Sequence, residues 1–124
     1  MKEKILIIDD SLEMCRLLQD FLTTEGYEAI MAHSAQEGFE KLKKEKPKVV
    51  LLDIKMPETD GIDTLKHIKR INKNICVIMI TGVMDENMAK KALKLGAMDY
   101  VTKPCDFNHL RTVLLVKILS CLEN

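Results

Sequence analysis

Three stretches of the chain are apolar without a break, Ile5–Ile8, Val49–Leu52 and Ile75–Ile80, and Tyr27–Ala32 has strand character as well. Unbroken runs of this length read as strands covered on both faces, the habit of a parallel sheet. A fifth, short strand is expected over Asp99-Tyr100-Val101-Thr102. Between these runs the apolar residues recur every three or four positions. Met14, Leu17, Leu18, Phe21 and Leu22 mark a first helix, with Ser11 as its cap and Gly26 as its stop. Ala35, Phe39 and Leu42 give a second helix one narrow apolar face, and Ser34 with Glu37 has capping-box spacing. Ile62, Leu65 and Ile68 mark a third helix, closed by Asn72-Lys73-Asn74. Met88, Ala89, Ala92 and Leu95 mark a fourth, with Asp85 as candidate cap and Gly96 as stop. Phe107–Leu122 is the last helix, and its apolar stripe is wider than one buried face requires. The order is strand then helix, five times over. That alternation predicts an α/β fold: a (βα)5 doubly wound, five-stranded parallel sheet of flavodoxin-like type, with right-handed crossovers and helices on both faces.

Composition narrows the function classes. The chain has 124 residues, enough for one domain with a core and too few for two. Residues 1–124 are therefore read as a single domain with no output domain. Nineteen basic residues balance nineteen acidic ones, so no global positive field is available for a nucleic-acid backbone. No apolar stretch reaches the roughly 20 residues of a membrane span, and the N-terminus leaves no room for a signal peptide. Cys15, Cys76, Cys105 and Cys121 are scattered without metal-site spacing and read as small reduced thiols in a cytoplasmic protein. The run Lys41–Lys48 reads as a solvated helix end.

Polar chemistry collects where strands end. Asp9 and Asp10 close the first strand, Asp53 the third, Thr81 the fourth and Lys103 the fifth. In a sheet of order 2-1-3-4-5 these ends share one edge, and the switch point between the first and third strands brings Asp9, Asp10 and Asp53 into one crevice. Two unit charges about 4 Å apart interact by roughly 4 kcal/mol at an effective dielectric of 20. Three carboxylates therefore call for a cation, and hard oxygen donors favour Mg2+, with Mn2+ as a possible substitute. With Lys103 as a further positive charge, a phosphoryl group arriving at Asp53 would meet a neutralised site. Gly82 leaves the loop after Thr81 without a side chain, so its backbone can approach a phosphate.

With these residues the chain resembles the receiver domain of two-component response regulators, the CheY-like family. The resemblance rests on Asp9-Asp10, on Asp53 with Met56-Pro57 and Asp60-Gly61, on Thr81-Gly82, and on Lys103-Pro104. It implies that Asp53 is the phosphoacceptor. It implies direct Mg2+ ligation by Asp10, Asp53 and the backbone carbonyl of Lys55, with Asp9 acting through water. Lys103 and Gly82 would contact the phosphoryl group. Thr81 would swing its hydroxyl onto that group, and Tyr100 would be the aromatic switch. The Lys103-Pro104 bond is expected cis, a cost of only about 0.5–1 kcal/mol. The implied partners are a sensor histidine kinase or histidine phosphotransfer protein, and a downstream protein or second copy at the face of the fourth helix, fifth strand and fifth helix.

Such a domain assists its own phosphorylation and dephosphorylation without being an enzyme in the ordinary sense. Three other readings compete. A Mg2+-dependent aspartyl phosphatase would carry its nucleophile on the first strand. A degenerate receiver scaffold would not need so full a motif set. A flavodoxin-like cofactor binder would need a first loop richer in Gly, Ser and Thr.

Overall fold

The computed structural model describes residues 2–53, 61–81, 86–102 and 107–123. These form β1 (Lys4–Ile8), α1 (Leu12–Thr24), β2 (Glu28–Ala32), α2 (Ala35–Glu45), β3 (Val49–Asp53), α3 (Gly61–Ile71), β4 (Cys76–Thr81), α4 (Glu86–Lys94), β5 (Asp99–Thr102) and α5 (Phe107–Leu122). The strands make one sheet of order β2-β1-β3-β4-β5, and each adjacent pair is parallel. The expected doubly wound sheet is thus the observed one.

Side-chain alternation divides the core in two. Leu6, Ile8, Val50, Leu52, Val77 and Met79 face α2, α3 and α4, where Leu42, Leu65, Ile68 and Ala92 complete one cluster. Ile5, Ile7, Val49, Leu51, Ile78 and Ile80 face α1 and α5, where Leu18, Leu22, Leu114 and Ile118 complete the other. A strand loaded on both faces has no polar side to show, which is why β1, β3 and β4 read as continuous apolar runs.

The helix ends follow their sequence signals closely. Ser11 Oγ accepts from the Met14 N–H at 3.2 Å and starts α1. Gly26, at φ 91°, ends it, and Tyr27 N–H donates back to Leu22 O at 2.9 Å. That bond keeps Tyr27 in the helix cap, so β2 begins at Glu28 and not at Tyr27 as expected. Ile75 likewise donates its N–H to Asn72 O at 3.3 Å, inside the turn, and β4 starts one residue later than expected. Half of the expected capping box forms. Ser34 Oγ accepts from Glu37 N–H at 3.1 Å, while the Glu37 carboxylate lies 3.2 Å from Lys41 Nζ. Asp85, the expected cap of α4, lies outside the described residues.

Two further expectations are corrected. Leu17, placed on the apolar face of α1, is 39% exposed; Leu18, Phe21 and Leu22 make that face instead. Cys76 and Cys121, expected as reduced thiols, are joined as a disulfide with their Cα atoms 5.9 Å apart. The topology explains the second correction. α5 runs against the strands, so its last turn returns to the edge where β4 begins.

Candidate functional site

The site is built at the carboxyl edge of β1 and β3. These strands are neighbours, with Ile8 in register with Leu52, so the residues that follow, Asp9 and Asp53, leave the sheet side by side. Asp9 continues the line of its strand, because its N–H donates to Ala32 O at 3.0 Å. One of its carboxylate oxygens accepts from the Ser11 N–H at 2.9 Å, which holds the side chain at the start of α1. Asp53 is the last residue of β3 and pairs with Ile80 of β4. Asp9 and Asp53 are buried, at 2% and 4% exposure, whereas Asp10 is open to solvent.

A carboxylate oxygen from each of Asp9, Asp10 and Asp53 can be chosen so that all three lie within 4.8 Å of one another. This is the crevice expected from the strand order. Two oxygens bound to one Mg2+ at about 2.1 Å lie no more than about 4.2 Å apart. The observed spacing therefore suits a small hard cation, taken directly by some of the three acids and through water by the rest. The donors are all oxygens, which again suits Mg2+ over softer metals.

The other expected site residues are described to different extents. The backbone of Thr81 ends β4, in register with Thr102 at the end of β5. Tyr100 is in register with Met79 and packs, half-buried, against the core on the α2, α3 and α4 side. Lys55, Gly82, Lys103 and Pro104, and with them the expected cis peptide, lie outside the described residues.

Some neighbours of the site gave no clear signal in the sequence. Cys15, fully buried, donates its thiol to Asp9 O at 3.3 Å, and its sulfur lies 3.8 Å from His33 Nδ1. Gly38 of α2 is pressed against Ile8, so that a Cβ at Gly38 would lie 2.5 Å from Ile8 Cδ1. Only the helical phase of Gly38, on the same face as Ala35 and Leu42, could have hinted at that approach.

Residues 5–115 match the family described as response regulator receiver domain. The chain belongs to that family. Sporulation initiation phosphotransferase F of Bacillus subtilis is 39% identical over 111 residues, which are 90% of this chain and 90% of that protein. The transcriptional regulatory protein ZraR of Escherichia coli is 40% identical over 110 residues, covering 89% of this chain; the chain spans only 25% of that protein's length. Among solved structures, a chain of the CheX-CheY-BeF3-Mg+2 complex from Borrelia burgdorferi superposes with a TM-score of 0.87 at 34% identity, over 97% of this chain and 89% of that one. The chain is accordingly a receiver domain, a phosphorylation-activated switch of two-component signalling, and its acidic crevice fits Mg2+ and a phosphoacceptor. Receiver domains are phosphoaccepting signalling domains rather than classical enzymes, and they act through histidine kinases and downstream proteins.

Proposed function

We propose that Asp53 accepts a phosphoryl group from a phosphohistidine on a partner kinase or phosphotransfer protein. The observation that carries this is the meeting of three carboxylates from the exits of β1 and β3 within 4.8 Å, two of them buried. Asp10, Asp53 and the Lys55 carbonyl would hold Mg2+, with Asp9 acting through water, and the ion would supply the charge that neutralises the acids and the incoming phosphoryl oxygens. The carboxylate of Asp53 is the nucleophile: its oxygen bonds to phosphorus as the bond from phosphorus to the donor nitrogen breaks. The rigid end of β3 fixes that oxygen in position, and positioning together with charge neutralisation supplies most of the catalysis. Lys103 and Gly82 would contact the phosphoryl oxygens. Later hydrolysis of the acyl phosphate resets the switch.

The test is labelling with acetyl phosphate and Mg2+. The chain forms an acyl phosphate, and Asp53→Asn abolishes it. Unchanged labelling of the variant would reject the assignment.

In the same reading, Thr81 and Tyr100 convert the phosphoryl group into a population shift between two surfaces. The face of α4, β5 and α5 carries the output; Leu93, Met98, Val116 and Leu119 in this part of the chain are 38–64% exposed. A second copy or a downstream protein docks there. Sedimentation with beryllofluoride and Mg2+ shows the second copy as a shift to dimer; a monomer under both conditions removes the dimer. Residues 1–124 act as one domain, and the protein works in the cytoplasm. No described helix is long and apolar enough to cross a membrane.

A further inference from the structure

At the edge of the sheet opposite the carboxylates, β4 begins with Cys76, and the last turn of α5 carries Cys121. Their disulfide spans 45 residues of chain. Both residues are half-buried, and both line a cavity of about 300 Å3 with Lys46, Lys48, Asn72 and Asn74. Lys46 and Lys48 are exposed, and among the described residues no acid lines the cavity, although Glu3 lies 3.4 Å from Lys48 Nζ. Cys15 differs on each count, being fully buried beneath Asp9. A half-buried cysteine pair lining one cavity with two exposed lysines has the makings of a reactive thiol site, since cations near a thiol favour thiolate and draw anions.

We propose that Cys76 and Cys121 are a redox modification site whose exchange partner is an anionic low-molecular-weight thiol and its disulfide. In the oxidising direction, one cysteine thiolate attacks a sulfur of the small disulfide and expels one small thiolate. The second cysteine thiolate then attacks the protein sulfur of the mixed disulfide and expels the other. Two electrons pass from the cysteine pair to the small disulfide, and the two protein thiol protons end on the two released thiols. Oxidation fastens the last turn of α5 to the first residue of β4, beneath the turns that carry Val116 and Leu119. The site is independent of whether Asp53 accepts phosphate.

The experiment equilibrates the whole folded chain with mixtures of reduced and oxidised glutathione, alkylates free thiols, and maps each cysteine by mass spectrometry. Cys76 and Cys121 lose their thiols together, as one pair, while Cys15 stays reduced. In Cys76→Ser, Cys121 holds a single glutathione. The rate of oxidation by glutathione disulfide falls about tenfold in the double variant Lys46→Glu, Lys48→Glu, while the rate with neutral hydroxyethyl disulfide stays within about twofold. Failure of the unsubstituted chain to join these two cysteines at any ratio overturns the proposal, as does pairing with a different cysteine. Equal slowing with both disulfides overturns the anionic partner.

Discussion

At the amino edge of the sheet, Lys4 lies 3.2 Å from Glu45, and Lys48 lies 3.4 Å from Glu3. Lys69 donates to the backbone carbonyls of Ile75 and Lys73 at 2.6 and 3.3 Å, and burial pushes its ammonium below the usual lysine value. At the carboxyl edge, Asp9, Asp10 and Asp53 are gathered with their oxygens within 4.8 Å, and two of the three are under cover. One edge answers charge with opposite charge or with carbonyls, mostly in solvent, where such pairs contribute little. The other gathers three acids from two strand exits, two of them where water is scarce, so that their mutual repulsion is little screened. Opposed pairs serve the fold; the gathered acids mark the candidate site.

The largest stability effect expected at the carboxyl edge comes from the floor beneath the acids. Gly38→Ala drives a methyl group into Ile8, which is fully buried and precedes Asp9. Overpacking costs about 1–3 kcal/mol, and the better helix propensity of alanine returns about 1 kcal/mol. A net loss of about 1 kcal/mol is expected in urea denaturation. Adding Ile8→Val removes the clashing Cδ1 and recovers part of it; no recovery would place the strain elsewhere.

Next in size is Asp10→Asn. In metal-free buffer it stabilises the fold by slightly under 1 kcal/mol, the screened worth of relieving an exposed like charge. With saturating Mg2+ the ranking reverses, because the unsubstituted chain gains more from the metal. A variant that is destabilised without metal would break the contrast between the two edges. The smallest effect belongs to Glu45→Gln, which removes the partner of Lys4. Thermal melts should report a loss under about 0.5 kcal/mol, unaffected by Mg2+.

Much of this was legible in the residues because each strand of the inner sheet is covered twice. β1, β3 and β4 show themselves as apolar runs, and the first polar residues after them are the ones the site uses. Ser11, Ser34, Gly26 and Gly96 punctuate the helices where local chemistry predicts. The meeting of Asp9 with Asp53 was legible only through the strand order, since nothing local in either run says that β1 and β3 are neighbours.

What stayed hidden depended on long-range packing. Leu17 fits a helical apolar stripe by spacing, yet α1 needs only Leu18, Phe21, Leu22 and Cys15 to cover its side of the sheet. Lys46 ends α2 in the left-handed region, at φ 50°, where glycine is the usual signal. The wide stripe of α5 resolves into Leu114 and Ile118, fully buried, and Val116, 64% exposed. The pairing of Cys76 with Cys121 follows only once α5 is known to run back along the sheet.

Whether the acids at the carboxyl edge hold one divalent cation is decided by titration calorimetry of Mg2+ into the folded chain and into Asp10→Asn. One ion per chain is expected, with the variant weaker by about tenfold or more. Equal affinity in the two proteins, or no binding to the unsubstituted chain at millimolar Mg2+, would contradict it.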